Sequence, residues 1–124
     1  MATNILVVLV VDDDRLNRQL ISKVLRQEGY QVVEACDGAL ALEILQMLRF
    51  DLVITDFVMP KLNGIEFVEQ IHTLQPRTPI IFITGFVSVF SGEAILEEVT
   101  EVLPKPFELG VLRSTVRVLD STSQ

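Results

Sequence analysis

Five short apolar segments, each followed by a stretch with helical periodicity, constrain this chain more than any other feature. The segments are Ile5–Val11, Gln31–Ala35, Leu52–Thr55, Ile80–Thr84 and Val102–Leu103. The first, third and fourth are rich in Val and Ile, the composition of strands covered on both faces. Between the segments the apolar spacing becomes helical. Asp14 is placed to cap a helix that runs to about Glu28, with Leu16, Leu20, Val24 and Leu25 on one face and Gly29 at its end. Asp37 caps a second, whose stripe is Leu40, Ala41, Ile44, Leu45 and Leu48. Asn63 or Gly64 opens a third, with Ile65, Phe67, Val68 and Ile71 inward. A fourth is expected from about Val87 to Val99, interrupted by Gly92, and a last from near Phe107 to near Leu119.

Strands alternating with helices of this length argue for βα units and a parallel sheet. Right-handed crossovers then place helices on both faces. The fold class is therefore α/β, and 124 residues suffice for one such domain with a real core. The expected domain is 1–124, with a core of about 4–119 and a polar tail at 120–124.

Composition removes several function classes. Hydrophobic residues make up 49% and charged residues 22%, too apolar for a disordered chain. The apolar run at Ile5–Val11 has seven residues and ends at three aspartates, against the roughly 20 residues of a membrane span. No basic segment with a cleavage site precedes it, so a cytoplasmic protein is expected. The single cysteine, Cys36, has no Cys or His neighbours of a metal or thiol site and reads as structural. Net charge is −7, and the ten Lys and Arg residues form no basic stripe, so direct nucleic-acid binding is not expected. His72 is the one histidine and reads as a surface residue; no Ser-His-Asp or Cys-His set can be built around it.

In parallel α/β sheets, ligands sit beyond the carboxyl ends of the strands. Strand one ends in Asp12-Asp13-Asp14, strand three in Asp56, strand four in Thr84-Gly85 and strand five in Lys105. A parallel sheet brings these groups to one edge. Carboxylates gathered there repel unless a cation is present, and oxygen-rich sites of two or three carboxylates suit Mg²⁺. Lys105 supplies a fixed positive charge and Thr84 a hydroxyl donor. An aspartate can attack phosphorus to give an aspartyl phosphate, with the cation and lysine neutralising developing charge.

Taken in order, Val10-Val11-Asp12-Asp13-Asp14, Asp51 through Asp56, Met59-Pro60, Asn63-Gly64, Ile83-Thr84-Gly85 and Lys105-Pro106-Phe107 resemble the response-regulator receiver domain over essentially the whole chain. The resemblance implies a flavodoxin-like (βα)₅ doubly wound sandwich with a five-stranded parallel sheet of order 2-1-3-4-5. It implies Asp56 as phosphoacceptor, and Asp12, Asp13, Asp56 and the backbone carbonyl of Val58 as Mg²⁺ ligands. Thr84 and Lys105 would contact the phosphoryl group, and the Lys105–Pro106 bond would be cis. Partners implied are a sensor histidine kinase or histidine phosphotransfer protein, with a second copy or an output partner on the face of the fourth helix, fifth strand and last helix. The domain would assist its own phosphotransfer and dephosphorylation without acting as an enzyme on a separate substrate.

Two departures bear on competing functions. Val102 stands where the family often has an aromatic residue, which favours transmission through backbone or fourth-helix movement and keeps open a pure interaction module. Aspartyl-phosphate phosphatases carry a second aspartate two residues past the nucleophile, where this chain has Val58.

Overall fold

The computed structural model describes residues 7–56, 64–84 and 101–122. Its elements are β1 (Val7–Val11), α1 (Arg15–Gln27), β2 (Gln31–Ala35), α2 (Gly38–Met47), β3 (Leu52–Asp56), α3 (Gly64–Leu74), β4 (Ile80–Thr84), β5 (Glu101–Pro104) and the C-terminal helix, α4 (Leu109–Thr122). The five strands form one sheet of order β2-β1-β3-β4-β5. All four pairings are parallel, with Val8 opposite Leu52, Val53 opposite Ile80 and Ile81 opposite Glu101. The expected order and parallel pairing are both present. The expected fourth helix, with Gly92, lies outside the described residues.

Period-two alternation divides the sheet residues between two cores. Leu9, Val11, Val53, Ile80 and Phe82 pack under α2 and α3 with Ala41, Leu45, Phe67, Val68 and Ile71. Val8, Val10, Leu52, Ile54, Ile81 and Ile83 pack under α1 and α4 with Ile21, Leu25, Leu112 and Val116. Each such side chain contributes about 1.5–3 kcal/mol relative to exposure, so the two cores jointly fix the register of β1, β3 and β4.

The helix starts follow the local chemistry. The Asp14 carboxylate accepts the N–H groups of Leu16 (3.0 Å) and Asn17 (3.3 Å), satisfying two otherwise orphaned donors. Asp37 does the same for Leu40 at 2.7 Å. Gly29 stops α1 with φ +96°, a conformation that favours glycine.

The expected faces of α1 and α2 need correction. Leu16 and Leu20 are 71% and 49% exposed, and the buried positions of α1 are Ile21, Ser22, Val24 and Leu25. Leu40 and Leu48 likewise lie at the margin of α2, while Ala41 and Leu45 are buried. A helical stripe of leucines is wider than the strip that touches the sheet, and its edges stay in solvent. Cys36 is exposed in the turn after β2 and has no place in the core. Finally, α4 continues to Thr122 and takes in Asp120, which accepts a hydrogen bond from the Tyr30 hydroxyl at 2.9 Å.

Candidate functional site

The site grows out of the carboxyl edge of the sheet. Beyond β1, the Asp12 N–H donates to the Ala35 carbonyl at 3.1 Å, carrying the β1–β2 ladder one residue further. Asp12 is thereby held in strand register and is 1% exposed, whereas Asp13 after it is exposed. Asp56 is the last residue of β3, opposite Ile83 of β4, and is 7% exposed. The Thr55 hydroxyl donates to the Asp56 carbonyl at 3.1 Å. Thr84, one step past Ile83, is fully buried at the end of β4 opposite Pro104. Its carbonyl accepts the Lys105 N–H at 2.8 Å, and the Lys105–Pro106 peptide is cis as expected.

The edge gathers Asp12, Asp13 and Asp56 so that one carboxylate oxygen from each lies within 4.8 Å of the other two. Lys105 Nζ stands 2.5 Å from Asp56 Oδ2. Among the described residues three carboxylates face one ammonium, an excess of two negative charges that a divalent cation would match. The spacing suits one too. Oxygens on an octahedral ion at about 2.1 Å stand roughly 3 to 4.2 Å apart, so small side-chain rotations would close the present separations.

Titration follows the same crowding. Burial pushes the Asp12 carboxyl above its ordinary value and the Asp56 charge adds to this, against the Asp14 N–H bond, Lys105 and Asn17. For Lys105, burial acts downward, but the Asp56 hydrogen bond and the fields of Asp56, Asp12 and Asp13 outweigh it and raise the ammonium. The Lys105 shift reflects the carboxylates around it, whereas the Asp12 shift is chiefly the cost of burying a charge.

The structure thus brings together Asp12, Asp13, Asp56, Thr84 and Lys105 at one edge. Val58 lies outside the described residues, as do Met59, Pro60, Asn63 and Gly85. His72 sits in the last turn of α3, and among the described residues the acidic trio is the cluster with metal-ligand spacing. The residues around Asp12 were not anticipated from sequence. Asp14 N–H donates to Asp12 Oδ1 (2.9 Å), Asn17 Nδ2 to Oδ2 (3.3 Å) and Arg18 Nη1 to the Asp12 carbonyl (2.7 Å). Asn17 and Arg18 lie in the first turn of α1, where side chains lean back toward the helix N-terminus. That geometric rule was the available signal.

Comparison with known proteins agrees with this arrangement. The sequence model of the family described as response regulator receiver domain matches residues 8–117. The response regulator receiver protein CpdR of Brucella abortus is 38% identical over 103 residues, covering 82% of this chain and 86% of CpdR. The response regulator MprA of a Mycobacterium species (strain KMS) is 38% identical over 90% of this chain, which spans 49% of that longer protein. Among solved structures, the chemotaxis response regulator CheY4 of Vibrio cholerae superposes with a TM-score of 0.84 at 35% identity, covering 94% of this chain and 99% of CheY4. The response regulator TrrA of Thermotoga maritima, solved in complex with Mg²⁺–BeF, gives a TM-score of 0.82 at 31% identity, covering 92% of this chain and 98% of TrrA. Among the described residues no helix is long and apolar enough to cross a membrane. With the fold, the strand-end carboxylates and the match across residues 8–117 in agreement, this chain belongs to the response regulator receiver domain family, the phosphoacceptor domains of two-component signalling.

Proposed function

We propose that Asp56 is the phosphoacceptor of this domain and that Asp12, Asp13 and Asp56 hold the Mg²⁺ on which the transfer depends. The observation that carries the proposal is the acidic trio within 4.8 Å, with Lys105 paired to Asp56. The donor is a phosphohistidine on a sensor histidine kinase or a histidine phosphotransfer protein, met in the cytoplasm.

An Asp56 carboxylate oxygen attacks phosphorus, a new P–O bond forms and the P–N bond to the histidine breaks. The leaving imidazole nitrogen keeps the bonding pair. Mg²⁺, when bound, would neutralise charge on the phosphoryl oxygens and fix their orientation. Lys105 exchanges its contact with Asp56 for one with a phosphoryl oxygen. The Thr84 hydroxyl donates to another from the end of β4. Asp12 and Asp13 would hold the cation through their carboxylates, and the Val58 carbonyl would be the remaining ligand drawn from this chain. The added charge then biases a two-state equilibrium of the segments following β3 and β4, the output of a signalling switch. A second copy or an output partner would read that change on the side of the sheet edge where β5 and α4 lie, together with the helix expected before β5, which is outside the described residues.

Intact mass after incubation with acetyl phosphate and Mg²⁺ tests this reading. The wild type should gain one phosphoryl group; chelation of Mg²⁺ or Asp56→Asn should abolish the gain. A gain of equal size in Asp56→Asn would place the acceptor elsewhere.

A further inference from the structure

Every polar atom of Asp12 is engaged, three of the four by residues of α1 or its cap. Its N–H bonds to Ala35 of β2, and its two carboxylate oxygens accept from Asp14 and Asn17. Its carbonyl accepts Arg18 Nη1 at 2.7 Å, the shortest of the four. The same guanidinium places Nε 3.1 Å from Glu34 Oε1, and the other Glu34 oxygen lies 3.4 Å from Arg26 Nη1. The Arg18 side chain is 15% exposed, so its charge is largely withdrawn from water and held by two fixed acceptors. Arg18 therefore fastens three pieces together: the first turns of α1, the end of β1 and the edge strand β2.

We infer that Arg18 is a positioning residue for the divalent-cation site. It clamps the Asp12 main chain so that the carboxylate stands within reach of Asp13 and Asp56. The inference rests on the Mg²⁺ reading of the trio given above. Ligand-orienting groups of this kind typically change metal affinity about 10- to 100-fold when removed. A planar fork suits the task because one side chain must satisfy a carbonyl and a carboxylate at once, which an ammonium does with less geometric control.

The sign of the effect separates this role from its main rival. A cation placed beside three carboxylates opposes the arrival of another cation, so if Arg18 acted through charge alone its removal would tighten Mg²⁺ binding. Positioning predicts the reverse.

The test is Mg²⁺ binding to the full chain by isothermal titration calorimetry, since the chain has no tryptophan to report by fluorescence. Arg18→Ala should raise the Mg²⁺ dissociation constant about 10-fold. Far-UV circular dichroism should be unchanged. Arg18→Lys, which keeps the charge and one donor, should recover part of the affinity. Unchanged or tighter binding by Arg18→Ala would overturn the inference, as would a lysine variant no tighter than the alanine one. If Arg18→Ala does not fold, Arg18→Gln carries the test, with weaker binding expected and equal or tighter binding overturning it. Asp13→Asn in parallel keeps the two readings apart. Wild type that binds no Mg²⁺, or Asp13→Asn that binds as tightly as wild type, would sink the cation site itself. Binding lost in Asp13→Asn but unmoved in Arg18→Ala would sink the Arg18 role alone.

Discussion

Strand β3 carries an aspartate at each end, Asp51 just before its first residue and Asp56 as its last, and the fold uses them in opposite ways. At the amino edge, Asp51 and Val7 exchange two bonds of 2.9 Å: Val7 N–H donates to Asp51 Oδ2, and Asp51 N–H donates to the Val7 carbonyl. Nearby, Gln75 accepts Phe50 N–H (3.0 Å) and donates to the carbonyls of Leu45 (3.0 Å) and Leu48 (2.7 Å). The Thr78 hydroxyl lies 3.1 Å from the Phe50 carbonyl. Here buried and half-buried donors meet acceptors from the chain, and the edge stabilises the fold. At the carboxyl edge, three carboxylates face one ammonium among the described residues. At one edge the polar groups are satisfied by the protein, and at the other acidic groups gather around a single lysine among the described residues. Polar groups at both edges find partners in the chain; what separates the two edges is the balance of charge.

Three perturbations test this contrast. The largest effect belongs to the amino edge. Gln75→Ala strands the Phe50 N–H and two helix-end carbonyls, which should cost about 2–3 kcal/mol in denaturant unfolding. It should leave Mg²⁺ affinity and phosphorylation by acetyl phosphate as in wild type. A shift below about 0.5 kcal/mol would erase the distinction between the edges.

At the carboxyl edge the stability change should be smaller and of opposite sign. Asp12 lies above its ordinary carboxylate range because burial, and then Asp56, disfavour its charged form. Its raised value means that the folded state binds a proton more readily, so this group's contribution is fullest at low pH and is lost as pH rises through the folded value. At neutral pH the charge is a net cost. Asp12→Asn should therefore raise the metal-free melting temperature by a few degrees while abolishing the stabilisation that added Mg²⁺ gives the wild type. A lower melting temperature in the chelated sample would show that the carboxylate is structural after all.

The smallest effect lies again on the amino side, where Tyr30 and Asp120 join α4 to the turn after α1. Burial and the Asp120 hydrogen bond push the Tyr30 hydroxyl from its ordinary 10 up to about 12. A raised folded value means stability that is fully present below pH 10 and lost as pH climbs toward 12. Tyr30→Phe should cost about 0.5–1.5 kcal/mol at neutral pH. The gap to wild type should then close across the alkaline window, read by unfolding at matched pH. A gap that stays constant through that window would remove Tyr30–Asp120 from the satisfied set.

Much of the fold was legible because its signals are local or periodic. The unbroken apolar runs at Leu52–Ile54 and Ile80–Ile83 announce strands buried on both faces. Asp14, Asp37 and Gly29 mark helix ends through the same backbone groups that they satisfy in the structure. The helix faces were less legible. Leu16 and Leu20 satisfy the helical period yet stand in solvent, because the period fixes which residues share a face and not how wide the buried strip is. The end of α4 lies past the expected Leu119, and there the Asp120 side chain meets Tyr30, ninety positions away in sequence, a partner that nothing local to Asp120 indicates.

The same division governs the site. Sequence determined which groups stand at the strand ends, since each closes a short apolar segment in the alternation of strands and helices, and parallel order then places Asp12, Asp56, Thr84 and Lys105 on one edge. Only the tertiary structure decided how they face one another: that Lys105 meets Asp56 and not Asp12, and that Asp12 is buried while Asp13 is open to solvent. It also decided that Arg18 turns back to hold the Asp12 carbonyl while reaching Glu34 on β2. Those choices depend on the lateral order of the strands and the seating of α1 on the sheet, distances set by packing across the sheet and invisible along the chain.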